Sequence, residues 1–411
     1  MDDTILQERD NLIKYIKSYI KKNNELPPTT LNFYKFVKLI GKGAFGKVTL
    51  GVHKLTGKQV AIKTIEKNYM QDEFSKRKVF QEVYLLKKIK HSNVIRLLEV
   101  FESSKHLLMV MEYAGGGDLL RLIKRKGKLQ ESDAKFIFKQ IAYGLAHIHC
   151  RSVIHRDIKL DNILLDCEKG VKICDFGVSK IIKKGQVIQE QCGTPAYLAP
   201  EIIIDKGYEG FFVDIWSLGV LLFAMLCGTV PFKAGNLEDL HKLILKGEFT
   251  FPNELSTEAQ ALVRGMIQLE PKARLTVPQI LSHAWLKETN EDESDEEDDD
   301  KEEGEGNKDG KDGGSVTGGQ GNKNDIDLKN IQGNVNYVNV DNLFYHENYK
   351  IKLSYTDYCC ITEDFSTENI DEEALQVCDN FGFPRQFVIK CLNRGDINHA
   401  TACYYLLTNA G

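Results

Sequence analysis

The sequence predicts an α+β chain, with an antiparallel sheet and a helix towards the N-terminal end and a three-helix bundle at the C-terminal end. Three observations carry this. Alternating residues flank a glycine-rich loop, from Phe36 and Lys38 before it to Thr49-Leu50-Gly51-Val52 after it, so the loop joins two antiparallel strands. The β-branched segment Val60-Ala61-Ile62-Lys63 adds a third strand, on which Ala61 and Lys63 share one face because strand side chains alternate. Helical spacing then runs from about Phe74 to Lys90, and returns in three segments between Asp371 and Thr408.

Taken in order, residues 1–32 read as a helical extension. Ile5, Leu12, Ile16 and Tyr19 lie near one helical face with lysines on the other, and Pro27-Pro28 stops the helix. Packing on the rest of the chain is the expected use, with binding of a partner or an acidic lipid as the alternative.

The glycine loop is Ile40-Gly41-Lys42-Gly43-Ala44-Phe45-Gly46-Lys47-Val48, a G-x-G-x-x-G-x-V whose backbone can approach phosphates closely because no Cβ intervenes. A helix would follow it in a dinucleotide-binding fold, and here a strand follows instead. On the third strand Ala61 is small enough to lie under an adenine, while Lys63 reaches for phosphates. Glu82 in the following helix is the candidate anion for Lys63; its bland alternative is a solvated helix face.

Further on stand His155-Arg156-Asp157-Ile158-Lys159-Leu160-Asp161-Asn162 and Asp175-Phe176-Gly177. Asp157 could accept a hydroxyl proton, Lys159 could neutralise a phosphate, and Asn162 and Asp175 offer hard oxygen ligands to Mg²⁺. Phosphoryl transfer needs this set, because its transition state spreads charge over oxygens that only cations and amides can neutralise.

With these motifs in order, residues 33–286 resemble a eukaryotic protein kinase domain, of the calcium/calmodulin-dependent group and closest to AMP-activated and related kinases. The resemblance implies a two-lobed fold with ATP between a sheet-rich lobe and a helical lobe. It implies Met111 as gatekeeper, Glu112 to Ala114 as the adenine hinge, and Asp118 near the ribose; core filling is the plainer reading of Met111. Ala199-Pro200-Glu201, Arg274 and Asp214 match the scaffold residues of the family. Lys159 and the Gly193-Thr194-Pro195 segment resemble the serine/threonine type, in which Thr194 bridges Asp157 and Lys159. Asp118 and Asp161 match acids that receive a basic residue upstream of the target hydroxyl in basophilic relatives; ribose and loop structure are their other reading. The chain departs from many relatives at Glu190, where they carry a phosphorylated threonine. A permanent carboxylate for Arg156 and a solvent-facing side chain are the two readings. The rival to an enzyme is a pseudokinase scaffold or a ubiquitin-binding adaptor, and the presence of Lys63, Asp157 and Asp175 argues for chemistry.

Composition sets the remaining bounds. The 411 residues are 42% apolar, contain no apolar run of membrane-spanning length and no signal-peptide core at the N-terminus. Neither membrane insertion nor a nucleic-acid partner is expected. Ten cysteines without metal-ligand spacing read as reduced thiols, pointing to a cytoplasmic or nuclear setting, with Cys174 and Cys192 as candidates for reactivity. Residues 291–303 hold eleven acids and one lysine, a local charge of −10, so the rest of the chain carries +5 against the overall −5. Residues 287–335 therefore read as an acidic low-complexity linker. Asn307 to Gly314 fails calcium-loop spacing, with no glycine at the sixth position. Residues 336–364 receive no assignment.

Residues 365–411 resemble the ubiquitin-associated (UBA) domain that follows the catalytic domain in AMP-activated-type kinases, on Gly382-Phe383 and Ala400-Thr401-Ala402-Cys403-Tyr404-Tyr405-Leu406-Leu407. Docking on the kinase domain, ubiquitin binding through Phe381 to Phe383, and a generic bundle remain open. About 45 linker residues span roughly 35–40 Å, enough to reach the rear face of the kinase domain. Protein substrates are the implied partners, and regulatory subunits are compatible with the resemblance.

Overall fold

The computed structural model describes residues 3–43, 46–166, 170–183, 185–252, 254–287, 336–337 and 370–408. The acidic linker, except Lys287, and most of the unassigned segment lie outside them. Helix α1 (Asp3–Asn23) precedes strands β1 (Tyr34–Gly43), β2 (Gly46–His53) and β3 (Gln59–Glu66), helix α2 (Glu73–Lys88), and strands β4 (Leu97–Glu102) and β5 (His106–Glu112). These strands form an antiparallel sheet in the order β1-β2-β3-β5-β4, extended at the β4 edge by the backbone of Asn336–Tyr337. Helix α2 starts where Asp72 accepts a hydrogen bond from the Ser75 N–H at 2.8 Å, which satisfies one of the free donors of a helix start.

The second lobe begins with β6 (Gly117–Asp118), α3 (Leu119–Lys126) and α4 (Glu131–Cys150). Short strands follow, β7 (Val153–Ile154), β8 (Ile163–Leu165), β9 (Val171–Ile173), β10 (Lys180–Ile181) and β11 (Val187–Ile188), then α5 (Pro200–Ile204) and β12 (Tyr208–Glu209). Helix α6 (Phe212–Cys227) is buried on every side from Val213 to Leu226, as a helix apolar all round must be, and α7 (Leu237–Lys246), α8 (Thr257–Met266) and α9 (Val277–Leu281) surround it. Asp214, the family's scaffold acid, stands on its first turn.

The sheet is apolar on both faces. Ile65, Val100, Leu107 and Met109 belong to the core shared with α2 and the helical lobe, whereas Val60, Ile62, Leu98, Phe101, Leu108 and Val110 face the opposite way. An antiparallel sheet commonly leaves one face to water, so this second apolar face requires a cover. The cover is α10 (Glu372–Asn380), α11 (Arg385–Arg394) and α12 (His399–Thr408), joined by α1. Asp371 caps α10 by accepting from the Ala374 N–H at 2.9 Å, and Gly395 ends α11 in the left-handed region at φ 69°. On the sheet side, the Arg96 guanidinium lies 4.4 Å over the Tyr405 ring.

Phe381 and Phe383, the loop that the ubiquitin-binding reading uses, are both buried. Arg9 of α1 covers the Phe381 ring at 5.0 Å, and a Cβ at Gly382 would lie 2.7 Å from Lys17 Cγ. The inward face of α1 is Ile16, with Leu12, Ile13 and Ile20 packed beside it, while the Tyr19 ring lies 6.0 Å from that of Tyr15 at a tilt of 55°. Leu12 and Ile16 of the expected face pack inward, Tyr19 is half-buried, and the Ile5 side chain is outside the described residues. Among the described residues no helix is long and apolar enough to cross a membrane.

Candidate active site

The glycine loop is the turn between β1 and β2, with Ala44 and Phe45 outside the described residues. Its glycines are used differently. At Gly46 an added Cβ would sit 2.1 Å from the Thr64 carbonyl oxygen, so packing against β3 excludes any side chain. At Gly41 and Gly43 the nearest atoms to an added Cβ are 3.7 and 3.8 Å away, so packing tolerates a side chain there. What bare backbone at those two positions preserves is access to the cleft side of the loop. Lys42 continues β1 between them, opposite Lys47, and Ile40 is exposed.

Below the loop, the strand register sets Val48 opposite Lys63, and Ala61 opposite both Leu50 and Met111. Ala61 and Met111 therefore meet across the β3–β5 pairing at the end of the sheet where the chain passes to the second lobe. Met111 packs against the core, Ala114 is buried, and Glu112 is spent on structure: its Oε1 accepts from the Arg96 N–H at 2.7 Å and its Oε2 from Lys172 at 2.9 Å. Asp118 caps α3, accepting from the Arg121 N–H at 2.7 Å.

Lys63 Nζ lies 2.5 Å from Glu82 Oε1, and Glu82 is buried on α2, so the solvated reading of Glu82 does not hold. Burial alone would lower the Lys63 ammonium. The Glu82 carboxylate, with Asp175 behind it, outweighs burial and holds Lys63 above the ordinary lysine range. Asp175 is exposed and left-handed at φ 67°, with its Oδ1 accepting from the Gly177 N–H at 3.2 Å, while Phe176 is buried edge-on to the His155 ring.

In the loop between β7 and β8, Asp157 is the hub. Its Oδ1 accepts from Thr194 Oγ1 at 2.8 Å, and its Oδ2 from Asn162 Nδ2 and Lys159 Nζ, each at 2.8 Å; Lys159 Nζ also reaches Thr194 Oγ1 at 2.9 Å. Asn162 Nδ2 donates again to the Asp157 carbonyl at 2.8 Å. Both amide hydrogens are thus directed at Asp157, leaving the Asn162 Oδ1 as an acceptor. A carboxylate at Asp175 and an amide oxygen at Asn162 form the donor set a hard divalent cation takes, so the residues fit Mg²⁺.

This loop is held from beneath. Arg156 adopts φ 67°, an uncommon conformation for a residue with a Cβ. Asp214 fixes it by accepting from the N–H groups of His155 and Arg156, both at 2.8 Å, and from His149 Nε2 at 2.9 Å. Burial pushes the Asp214 carboxyl up, but the bond from His149 and the neighbouring donors hold it below the ordinary range. Glu201 and Arg274 form a two-pronged pair with both contacts at 2.7 Å.

Glu190 meets Arg156 at 3.0 Å. Sequence reasoning missed the second cation there: Lys180 Nζ lies 2.7 and 2.8 Å from the two Glu190 oxygens. It also missed Tyr208, whose hydroxyl donates to the Glu190 carbonyl at 3.1 Å. Only the three-dimensional pairing of β11 with β12 brings Tyr208 there. The surroundings of Cys174 and Cys192, the two candidates for reactivity, disfavour their thiolates. Burial, then the Asp175 charge, pushes the Cys174 thiol up, and burial also raises Cys192 despite Arg156 beside it. Cys150 is disulfide-bonded, a departure from the reading of every cysteine as a reduced thiol.

A two-lobed fold with a glycine-loop cleft, a lysine–glutamate pair and a carboxylate hub defines a phosphotransferase-type site. A family model described as the protein kinase domain matches residues 34–286, and the chain belongs to that family. It is similar to a Danio rerio protein named serine/threonine-protein kinase SIK3 homolog, at 40% identity over 266 residues that make up 65% of this chain and 22% of the relative. It is also similar to a Dictyostelium discoideum protein named "Probable serine/threonine-protein kinase MARK-A", at 41% identity over 64% of this chain and 25% of the relative. The chain thus spans a quarter or less of the length of these curated relatives.

Proposed function

We propose that this chain is an ATP- and Mg²⁺-dependent protein serine/threonine kinase that transfers the γ-phosphate of ATP to hydroxyls of protein substrates. The observation that carries the reading is the Asp157 hub, with Thr194, Lys159 and Asn162 each 2.8 Å from its carboxylate, on the same cleft as the Lys63–Glu82 pair. In this reading ATP lies under the glycine loop from Ile40 to Val48, with its base between Ala61 and the Met111–Ala114 strand end. Lys63, kept charged by Glu82, positions the phosphates.

Asp157 orients the acceptor hydroxyl and takes its proton, and Lys159 offsets negative charge on the transferring group. Thr194, held by both, aligns the segment on which a serine or threonine would lie. Asn162 and Asp175 would hold Mg²⁺, which when bound supplies positive charge to the phosphate oxygens. The names of both relatives carry the serine/threonine assignment.

The reading extends to substrates with basic residues on the N-terminal side of the acceptor, resting on Asp161 and, more weakly, on Asp118, whose carboxylate also caps a helix. The C-terminal helices would act as a docked regulatory element that supports the sheet rather than as a ubiquitin receptor, since α1 covers the loop such a receptor would use. Incubation of the purified full chain with Mg²⁺-ATP and a degenerate peptide library tests both layers. Phosphoserine and phosphothreonine in peptides with upstream arginine are expected. Absence of transfer contradicts the activity, and transfer without basic preference contradicts the substrate reading alone.

A further inference from the structure

Where the C-terminal helices meet the sheet, His53, His399 and Cys403 converge. One ring nitrogen from each histidine and Cys403 Sγ all lie within 4.8 Å of one another, and all three residues are fully buried. His53 ends β2, whereas His399 and Cys403 stand four apart on α12, which sets them one turn apart on a single helix face. Cys403 Sγ is 3.8 Å from His53 Nε2, and the two imidazole rings are 5.0 Å apart.

Each histidine has a polar group behind it. His399 Nδ1 lies 3.2 Å from Glu99 Oε1, and a carboxylate accepting there fixes the proton on Nδ1. Its Nε2 is then a lone pair, fully buried and with no hydrogen-bond partner among the described residues. Buried polar atoms are rarely left so, because water and hydrogen bonds are both forfeited. His53 Nδ1 is 2.9 Å from Thr56 Oγ1, which can accept from it and so leave the Nε2 lone pair towards Cys403. The other tautomer, with the Thr56 N–H donating to Nδ1 across 3.4 Å, belongs to a metal-free chain. Glu99 is itself anchored by Tyr34 Oη and by Thr29 Oγ1. A carboxylate behind a ligating histidine is the usual outer partner of zinc sites.

We propose that His53, His399 and Cys403 bind one Zn²⁺ ion that fastens the C-terminal helices to the sheet. Imidazole and thiolate are the ligands this ion prefers, and three of them leave the fourth tetrahedral position to a water or other small ligand. As the ion binds, the Cys403 thiol proton leaves to solvent and a sulfur–zinc bond forms in its place. Without the ion, burial pushes the Cys403 thiol well up and the His53 imidazole well down, so the site would hold a neutral thiol and a neutral ring. Because the ligands come from the sheet and from α12, binding is coupled to the docking of one on the other.

The test is elemental analysis of the full chain purified without added metal or metal-affinity resin. About one equivalent of zinc is expected, and it should be lost in both His53→Gln and Cys403→Ser. The wild-type chain provides a second arm that no folding defect can confuse. Stripping with a chelator should lower its melting temperature by about 5 °C or more, and added Zn²⁺ should restore it. Co²⁺ in place of zinc should give a thiolate-to-cobalt charge-transfer band that Cys403→Ser abolishes. Zinc absent from the wild type, with no shift on adding it back to the stripped chain, would overturn the proposal; so would zinc retained in both variants.

Discussion

Arg156 and Glu190 form an ion pair at 3.0 Å, and the same carboxylate takes Lys180 on its other side at 2.7 Å. A fixed anion therefore already engages the arginine that stands next to the Asp157 hub. The carboxylate is half-exposed, so each bond is worth less than a buried one, but two cations on one anion tie Glu190 to both Arg156 and Lys180. Phosphatase-treated enzyme is expected to keep most of its activity, and Glu190→Ala to lose more than phosphatase treatment removes. An enzyme silenced by phosphatase, with Glu190→Ala indistinguishable from wild type, would show that the pair does not order the segment.

The same carboxylate gives a pH signature. Hydrogen bonds from Lys180, outweighing partial burial and joined by those from Arg156, hold Glu190 below the ordinary carboxylate range. A depressed folded value means that the contribution is fully present above the unfolded value, about 4.3, and is lost only as pH falls below it through the folded value. The gap in melting temperature between wild type and Glu190→Gln should stay constant down to about pH 4.3 and then shrink. A gap that widens on acidification would have the wrong sign for this pair.

Lys63→Met leaves Glu82 buried without its cation and the phosphates without theirs. Transfer should fall by at least about 10²-fold, the scale set by losing the positioning of a reacting group. Steady-state kinetics on one peptide would read the loss; a variant within threefold of wild type would remove Lys63 from the machinery.

The covering helices predict a stability effect of their own. Phe383 is fully buried beside the His399 ring, and Phe383→Ala opens a cavity under α12 that should cost about 3–5 kcal/mol. Removing residues 365–411 exposes Val60, Ile62, Leu98, Phe101, Leu108 and Val110 together, so the melting temperature and the rate should fall in step. A deletion that raises the rate at unchanged stability would instead mark the helices as an inhibitor.

Much of the site was legible in the sequence because its groups travel in short runs. Asp157, Lys159 and Asn162 lie within six residues, so their convergence follows from one loop, and Lys63 and Glu82 sit on a strand and helix that periodicity identifies. The groups that stayed hidden are held by pairings between distant segments. Lys180 reaches Glu190 only because the segment doubles back, and Tyr208 arrives through a two-residue strand pair. The cover on the sheet was half visible, since docking of the C-terminal helices on the kinase domain was one of three open readings. The C-terminal helices that cover it lie some 300 residues away in sequence, and His53 and Cys403 stand 350 residues apart.

Asp157, on this reading, is the base of a phosphoryl transfer. Asp157→Asn preserves the shape of the hub, with an amide able to face Thr194 and Lys159, while removing the carboxylate charge and its proton affinity. Single-turnover transfer to a serine peptide, measured beside equilibrium binding of ATP on the same preparation, separates the two consequences. Transfer should fall by at least about 10²-fold, with ATP affinity changed less than about threefold. Transfer near the wild-type rate in Asp157→Asn, at undiminished ATP binding, would contradict it.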